Sequence, residues 1–283
     1  MKIAIQGEPG AFSHEAALKL VAGAEIVPCA LSAEVFAALD AGAVDAAAIP
    51  IENSLAGSVL EHFDLLLKHD VKVVEETLVR IRHNLIAMPG ASVGEIERVL
   101  SHPVALAQCR RFLAAHPAMK AIAFYDTAGS VKQLMELRQR NVAAIASEAA
   151  VAIYGAEILE RDIEDNPENY TRFFLVRRAG EAETEQELTG QELTHKEANK
   201  MSIAFTLENR PGSLVAALSA LSATGTNLTK IESRPVQGKP WEYIFYVDCQ
   251  IGSSAEGTRA LEALDAHCGM VKELGRYREA RSA

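Results

Sequence analysis

The apolar residues of the chain follow two different spacings, and their alternation predicts an α/β protein. Short apolar runs typical of β-strands occupy residues 2–7, 45–50, 71–78, 84–88, 98–101, 121–125, 142–146 and 172–177. Apolar residues three or four positions apart predict helices at residues 13–22, 33–41, 55–69, 103–116, 130–140 and 148–155. Strands and helices therefore alternate along the first 178 residues.

Eight strands in this part are compatible with one large sheet or with two smaller lobes. The segment 77–84 is rich in basic residues and is predicted to cross from one lobe to the other. We expect lobe 1 at about 1–78 and 158–178, and lobe 2 at about 79–157. A cleft between two lobes is a natural place for a small ligand.

The composition changes sharply at residues 179–199, which hold six glutamates and almost no apolar residue. Such a segment cannot bury itself and is predicted to be an acidic surface linker. Beyond it, strands at 201–208, 228–235, 243–250 and 270–276 and helices at 213–224 and 254–267 follow in the order βαββαβ. That order predicts a ferredoxin-like domain at 200–283.

Charge and cysteine content narrow the class of protein. The 283 residues include 28 Lys and Arg against 38 Asp and Glu, a net charge of −10, which argues against nucleic acid or an anionic membrane as a partner. Apolar runs fall short of the roughly 20 residues of a membrane helix. Four widely spaced cysteines and the missing signal peptide are typical of a cytoplasmic protein. The eight histidines lack metal-binding spacing, so we expect no metal.

Polar residues follow several of the predicted strands, where α/β proteins bind ligands. After the first strand, a turn containing Gly10 and Ser13 could present N–H groups to an anion, although it could equally be an ordinary strand-to-helix turn. After the second strand comes Glu52-Asn53-Ser54, and capping explains only one of these three residues. Further candidates after later strands are Ser101, His102, Thr127 and Glu148.

The segment from Asn169 through Thr171, Arg172 and Phe173 takes a polar loop into an apolar strand. The planar guanidinium of Arg172 suits a bidentate contact with a carboxylate. That carboxylate could belong to a substrate or to the protein surface.

Five motifs of the first part occur together, in this order: GEPGAFSHEAA, IPIENSLAGSV, LSHPVALAQC, DTAGSV and NYTRF. In order and spacing they resemble the prephenate dehydratases. ENRPGSL and ESRP in the last part resemble the ACT regulatory domain of that family. The resemblance covers the chain except for the linker. It implies a catalytic half with the two-lobed fold of periplasmic binding proteins, no cofactor, and a homodimer or homotetramer.

The resemblance also implies a role for individual residues. It implies that Thr171 acts at the leaving hydroxyl of prephenate as a hydrogen-bond donor, since a threonine is a very weak acid. A proton would then come from Glu52, His102, Glu148 or water. We expect Arg172 to hold the pyruvyl carboxylate, because pairing the departing ring carboxylate would stabilise the ground state. The remaining expected substrate-binding residues are Gly10, Ser13, Asn53, Ser54, Ser101, His102, Thr127, Asn169 and Phe173.

For the ACT domain, the resemblance implies feedback by L-phenylalanine. The expected effector-binding residues follow two strands: Asn209, Gly212, Ser213, Leu214, Val215, Glu232, Ser233, Arg234 and Pro235. Two positions depart from the family pattern. Val104 replaces a glutamine after Ser-His-Pro, which removes an amide contact, and Ser213 replaces an alanine.

Two other functions are compatible with these motifs. One is an arogenate dehydratase, which performs the same chemistry on the aminated substrate. The other is a non-enzymatic amino-acid sensor built from a binding protein and an ACT domain. The pairing of Thr171-Arg172-Phe173 with Glu52-Asn53-Ser54 favours an enzyme. Because the first strand begins at Lys2, we expect no preceding mutase domain.

Overall fold

The computed structural model describes residues 1–182, 198–236, 238–239 and 241–280. Most of the predicted linker, residues 183–197, lies outside the described residues. The chain divides into two compact units. The first comprises Met1–Leu60 and Thr77–Phe173, and the second comprises Glu61–Glu76 and Phe174–Ala283. The second unit thus takes in a short stretch that the sequence assigned to the catalytic part.

The strands in the described residues include every one that the hydrophobic pattern predicted. They are, in chain order, β1 (Lys2–Gln6), β2 (Glu25–Cys29), β3 (Ala46–Asn53), β4 (Gly57–Ser58), β5 (Val71–Arg80), β6 (Asn84–Ala87), β7 (Arg98–Ser101), β8 (Lys120–Ala123), β9 (Val142–Ala146), β10 (Glu157–Glu160), β11 (Tyr170–Arg178), β12 (Lys200–Thr206), β13 (Asn227–Pro235), β14 (Tyr243–Gln250) and β15 (Met270–Tyr277). The pattern missed β2, β4 and β10.

The helices are short, and two of them differ from expectation. They are α1 (Phe12–Leu20), α2 (Ser32–Asp40), α3 (Leu60–Lys68), α4 (Pro103–Gln108), α5 (Arg110–Ala115), α6 (Thr127–Leu137), α7 (Glu148–Tyr154), α8 (Ala179–Ala182), α9 (Ser213–Ala223) and α10 (Ser254–Asp265), with one 3₁₀ turn at Val93–Glu95. The helix predicted at 55–69 begins only at Leu60. The helix predicted at 103–116 is divided into α4 and α5 at Cys109, whose ψ of 30° departs from the helical value.

Two sheets form the catalytic part, as the two-lobed interpretation requires. The first has the strand order β2-β1-β3-β11-β5, with β4 paired to β3. The second has the order β10-β6-β9-β7-β8. The chain leaves the first sheet at Arg80 and enters the second at Asn84, within the predicted crossing. The assignment of residues 158–160 to lobe 1 was wrong, because β10 pairs with β6 of the second sheet.

Each sheet buries its own apolar core. In the first sheet, β1 and β3 pair in parallel, and Ile3, Ile5 and Ile49 are fully buried. In the second, Leu85 and Ile145 are fully buried at the centre of a cluster beneath α4 and α5. Both cores consist of β-branched and aliphatic side chains on central strands, which fits sheets covered on both faces.

The last part folds as predicted. A four-stranded antiparallel sheet of order β13-β14-β12-β15 carries α9 and α10, whose apolar residues share one core cluster. Its strand and helix order is the βαββαβ pattern of ferredoxin-like domains.

Within the second unit, this sheet packs against α3 and the start of β5. The ammonium of Lys272 donates hydrogen bonds to the carbonyls of Leu66, Leu67 and His69 at the end of α3. The buried Lys200 ammonium lies 3.0 Å from a carboxylate oxygen of the equally buried Glu76. These contacts attach α3 and β5 to the C-terminal sheet within the second unit.

Among the described helices, none combines the length and the apolar character that crossing a membrane requires.

Candidate functional site

A cavity of about 470 Å³ opens within the first unit, at the ends of strands from both of its sheets. Its wall includes polar groups from widely separated parts of the chain. Among them are Ser13, Asn53, His83, His102, Gln108, Thr127 and Thr171. Apolar side chains, including Phe12, Ile81 and Phe173, form the rest of the lining. A concave site that is mostly apolar with a few convergent polar groups is typical of a small-molecule pocket.

Asn53 is the most highly connected polar side chain of this cavity. Its oxygen Oδ1 accepts the backbone N–H groups of Leu55 and Ala56, at 3.0 and 2.8 Å. Its nitrogen Nδ2 donates to Thr171 Oγ1 at 3.0 Å and to Asn169 Oδ1 at 2.7 Å. Asn53 therefore holds the loop after β3 in a turn and at the same time fixes the threonine hydroxyl.

Gln108 and His83 also line the cavity, and sequence reasoning missed both. Gln108 lies at the end of α4, where its Nε2 is 3.5 Å from Asn53 Oδ1 and its Oε1 is 2.8 Å from His83 Nε2. Gln108 follows Val104 by one helical turn and therefore faces the same side as that residue. Val104 was expected to remove an amide contact, and Gln108 supplies an amide to the same cavity.

Arg172 and Glu52 do not line this cavity. Successive side chains of a strand point to opposite faces, and Thr171 and Phe173 of β11 both face the cavity. Arg172, between them, is buried elsewhere, with its Nη2 3.6 Å from Glu52 Oε2. The geometry therefore gives no support to Arg172 as the group that binds the substrate carboxylate, nor to Glu52 as the proton donor.

Two helices begin at the cavity wall. Ser13 lies in the first turn of α1, and Thr127 is the first residue of α6. Asp126 caps α6 by accepting the Gly129 N–H, and burial raises the pKa of its carboxyl. Helix N-termini favour anions, and the Asp126 carboxylate already occupies that of α6, so the first turn of α1 is the electropositive part of a cavity wall whose described lining carries no lysine or arginine.

His102, an expected site residue, also lines the cavity. It precedes α4, and its Nδ1 accepts the Val104 N–H at 3.2 Å. Because Nδ1 accepts a hydrogen bond, the neutral ring carries its proton on Nε2. Glu148, another of the predicted proton donors, is instead exposed and lies 2.9 Å from Arg161. Of the three predicted residues, His102 is the one that can meet a ligand in the cavity.

Four of the expected substrate-binding residues make contacts within the framework and do not line this cavity. Gly10 adopts a φ of +90° and approaches α7 so closely that a Cβ atom would lie 2.7 Å from Ala150 Cα. Ser101 is fully buried and donates to the Ile145 carbonyl at 2.6 Å. Ser54 and Asn169 connect the loop after β3 with the start of β11, because Ser54 Oγ accepts the Tyr170 N–H and Asn169 Oδ1 accepts from Asn53.

A polar contact joins the two lobes beside the cavity. Glu8, in the turn after β1, accepts hydrogen bonds from the Tyr125 hydroxyl and from the Lys132 ammonium, each at 3.1 Å. Glu8 belongs to the first sheet's side of the cavity, whereas the other two residues flank or belong to α6. Opening of the cavity would separate these partners.

The second unit contains a smaller cavity of about 140 Å³ beside α9. Three of the predicted effector-binding residues line it: Asn209, Ser213 and Leu214. Trp241, Tyr243 and Phe245, which the sequence reasoning did not single out, complete an aromatic wall. Gly212 and Val215 adjoin this cavity in sequence, and Val215 is largely exposed.

The predicted segment Glu232-Ser233-Arg234-Pro235 ends β13 and does not line this cavity. Its arginine contacts α3 instead. The guanidinium of Arg234 donates to both carboxylate oxygens of Asp64, at 3.3 and 2.5 Å. This bidentate contact fixes the end of β13 to α3 within the second unit.

Within the described ranges, no three His, Cys, Asp or Glu side chains are grouped as ligands of a metal ion would be.

Comparison with known proteins identifies both parts of the chain. A family model described as prephenate dehydratase matches residues 3–181, and one described as ACT domain matches residues 201–266. The arogenate dehydratase/prephenate dehydratase 2 of Arabidopsis thaliana is 38% identical over 98% of this chain and 72% of its own.

Two solved structures resemble the whole chain equally well. A prephenate dehydratase from Arthrobacter aurescens in complex with L-Phe has a TM-score of 0.85 and 31% identity, covering 99% of this chain and 90% of its own. GqqA, described as a novel type of quorum quenching acylase, also has a TM-score of 0.85 and 31% identity, covering 98% of each chain. The two family models match the two-sheet catalytic part and the C-terminal sheet respectively. The chain therefore belongs to the prephenate dehydratase family, as an enzyme of the lyase type with a C-terminal ACT domain.

Proposed function

We propose that the protein converts prephenate to phenylpyruvate, carbon dioxide and water. The observation that carries this proposal is the hydroxyl of Thr171, which lines the cavity while its oxygen accepts a hydrogen bond from Asn53. Because the oxygen is engaged as an acceptor, the hydroxyl proton remains for a ligand in the cavity. That is the donor a leaving hydroxyl group needs.

The reaction needs no external oxidant or reductant. The bond between the ring and its carboxylate breaks, and its electron pair forms a ring double bond as carbon dioxide leaves. The ring C–O bond breaks at the opposite position, and the hydroxyl departs with its electron pair and takes up one proton to become water. Thr171 stabilises that oxygen by a hydrogen bond, and the neutral His102 ring can donate a second one from Nε2. Water is the candidate source of the proton, because a neutral imidazole that gave up its Nε2 proton would become an imidazolate.

The two carboxylates of prephenate call for different surroundings. The pyruvyl carboxylate is expected at the first turn of α1, where Ser13 lines the wall, and the Thr127 hydroxyl can add a hydrogen bond. The departing ring carboxylate is expected against the apolar side of the cavity, which includes Phe12 and Phe173. A poorly solvated carboxylate loses carbon dioxide more readily, since its charge is not stabilised in the ground state.

Arogenate is the alternative substrate. It carries an ammonium where prephenate carries a ketone, and a carboxylate in the cavity would favour it. Asp126 is such a carboxylate, and although burial raises its pKa, a cationic neighbour would favour its charged form. The plant relative, whose name includes both activities, supports the same alternative.

We also propose that L-phenylalanine regulates the enzyme through residues 200–283. The aromatic wall of Tyr243 and Phe245 suits a phenyl ring, and Asn209 with the start of α9 suits the amino-acid head group. The L-Phe complex of the Arthrobacter aurescens relative supports this proposal. A homodimer or homotetramer is the expected assembly, which light scattering of the full chain would test.

The direct test is an assay of the purified full chain with prephenate and, separately, with arogenate, each with and without L-phenylalanine. Formation of phenylpyruvate from prephenate, reduced by L-phenylalanine, is the expected result. A strong preference for arogenate would retain the mechanism and change the substrate. Failure to convert either, with L-phenylalanine still bound, would overturn the proposal in favour of an amino-acid sensor.

A further inference from the structure

Four side chains connect the interior of the first unit to the Thr171 hydroxyl. His83 and Gln108 approach within 2.8 Å, Gln108 and Asn53 within 3.5 Å, and Asn53 and Thr171 within 3.0 Å. Each contact has a direction, because every hydrogen bond needs one donor and one acceptor. These four side chains, His83, Gln108, Asn53 and Thr171, are called the row below. The backbone around Asn53 fixes which group donates in each hydrogen bond of the row.

The orientation of the Asn53 amide follows from two backbone groups. The N–H groups of Leu55 and Ala56 both point at one atom of this amide, and only an oxygen can accept from them. The other atom of the amide is therefore the nitrogen. It faces Thr171 Oγ1 and Asn169 Oδ1 and donates to both.

Gln108 is constrained in turn. The atom that faces the Asn53 oxygen must be a donor, and so it is Nε2. The carbonyl oxygen Oε1 of Gln108 then faces His83 Nε2. Since Oε1 can only accept, His83 must carry a proton on Nε2.

The surroundings of His83 favour the neutral ring, which carries this one proton. It is buried, with the ring of Phe12 packed edge-on at 5.7 Å between centroids. Its Nδ1 is buried without a hydrogen-bond partner among the described residues. The carboxylate of Glu164 contacts His83, but it accepts the backbone N–H of His83 rather than a ring proton. Burial lowers the pKa of His83, while Gln108 and Glu164 act in the opposite direction.

We propose that His83 is a positioning residue whose Nε2–H holds the Gln108 amide in one orientation at the cavity wall, with its oxygen toward the ring and its nitrogen toward Asn53. His83 does not meet the reacting atoms in this role. With the neutral Nε2–H form in place, the Gln108 amide can adopt only this orientation, whereas the Asn53 amide is fixed by the backbone N–H groups of Leu55 and Ala56. Without that donor, Gln108 can rotate and present its oxygen to Asn53, which breaks the row. This inference rests on the proposed dehydratase activity for its kinetic part only.

The first test requires no substrate. Nitrogen-15 NMR of the histidine side chains in the full chain at pH 7 distinguishes the two neutral forms, and a His83→Gln spectrum assigns the His83 signals. A protonated Nε2 with an unprotonated Nδ1 is the expected result. A proton on Nδ1 would overturn the proposal, whatever the enzyme's activity.

The second test compares His83→Leu with His83→Gln. Leucine removes the donor, whereas the glutamine amide nitrogen reaches the position of Nε2. For His83→Leu we expect kcat to fall about tenfold, the value of one hydrogen bond, with KM changed by less than about twofold. His83→Gln should recover most of the loss in kcat.

Controls separate positioning from folding. His116→Leu changes a histidine at the end of α5 that binds the Phe112 carbonyl, away from the cavity lining, and should leave kcat unchanged. Thermal unfolding of each variant reports stability independently. Equal losses of kcat in His83→Leu and His83→Gln, or a loss that appears in KM alone, would contradict the proposal.

Discussion

The side-chain nitrogen of Asn53 lies 3.0 Å from the hydroxyl oxygen of Thr171, and Asn53 Oδ1 accepts two backbone N–H groups. This arrangement fixes which of the two groups donates. Asn53→Asp keeps the shape and the accepting oxygen but replaces the donor with a second acceptor. Thr171 would then direct its proton at the new carboxylate and away from the cavity.

We expect Asn53→Asp to lower kcat by about a hundredfold, the scale found when one preorganised donor is removed from an active site. Steady-state kinetics with prephenate measure this. Asn166→Asp is the matched control, since Asn166 is exposed and its accepting oxygen, which binds the Glu168 N–H, persists in aspartate. A wild-type kcat in Asn53→Asp would show that the donor is unimportant.

Gly10 is predicted to matter for stability. A Cβ atom at this position would lie 2.7 Å from Ala150 Cα, and the φ of +90° is unfavourable for any other residue. Gly10→Ala should reduce the free energy of unfolding by about 1–3 kcal/mol through overpacking, in addition to the backbone strain. Gly23→Ala, with a φ of +74° and no atom within 4 Å of the new methyl group, isolates the backbone cost. Denaturant unfolding of the two variants should differ, and equal losses would contradict the packing argument.

The contact between Arg234 and Asp64 is predicted to serve regulation. It fixes the end of β13 to α3, and α3 follows the Asn53 loop in the chain after only a few residues. Asp64→Asn and Arg234→Lys should each weaken inhibition by L-phenylalanine while kcat without effector stays within about twofold, because a bidentate pair is lost far from the substrate. Inhibition curves at several effector concentrations measure this.

The control for that experiment is Lys239→Gln, which removes an exposed ion pair with Glu242 in the same sheet region. An exposed pair contributes little, so its inhibition curve should match that of the wild type. If Asp64→Asn also matched the wild type, the contact would have no regulatory role.

The cysteines are expected to be unreactive in the folded protein. Burial raises the pKa of Cys249 to about 12 and that of Cys268 to about 11, and it raises the pKa of the Cys109 thiol as well. Since the thiolate is the nucleophile, a raised pKa leaves little reactive form at pH 8. Iodoacetamide should label the half-buried Cys29 and Cys268 before the buried pair, and all four only after unfolding. Fast labelling of Cys109 in the native state would contradict the burial argument.

The hydrophobic pattern predicted most helices and strands, but it did not predict where a side-chain hydrogen bond delays the start of a helix. The helix expected from residue 55 begins at Leu60, because Asn53 accepts the N–H groups of Leu55 and Ala56 and holds them in a turn. Strand β2 was missed because it lies at a sheet edge, is only partly buried and contains Pro28. Both features depend on partners that the local sequence does not reveal.

The structure brings some of the expected site residues to the cavity and places others elsewhere. Thr171 and Arg172 are neighbours in a strand, and strand alternation turns Thr171 toward the cavity and Arg172 away from it. Gln108 and His83 were missed for a different reason. Each is separated from Asn53 by about 30 or more positions in sequence, and only the packing of the two lobes in the first unit brings them together.

The most direct test of the account is the turnover of prephenate by Thr171→Val and Thr171→Ser. Valine matches the shape of threonine without its hydroxyl, whereas serine keeps the hydroxyl. Asn53 retains the Asn169 oxygen as an acceptor in both variants, so the loop after β3 should persist. We predict that Thr171→Val lowers kcat at least about a hundredfold and that Thr171→Ser stays within about tenfold of the wild type. Turnover by Thr171→Val at the wild-type rate would contradict the account.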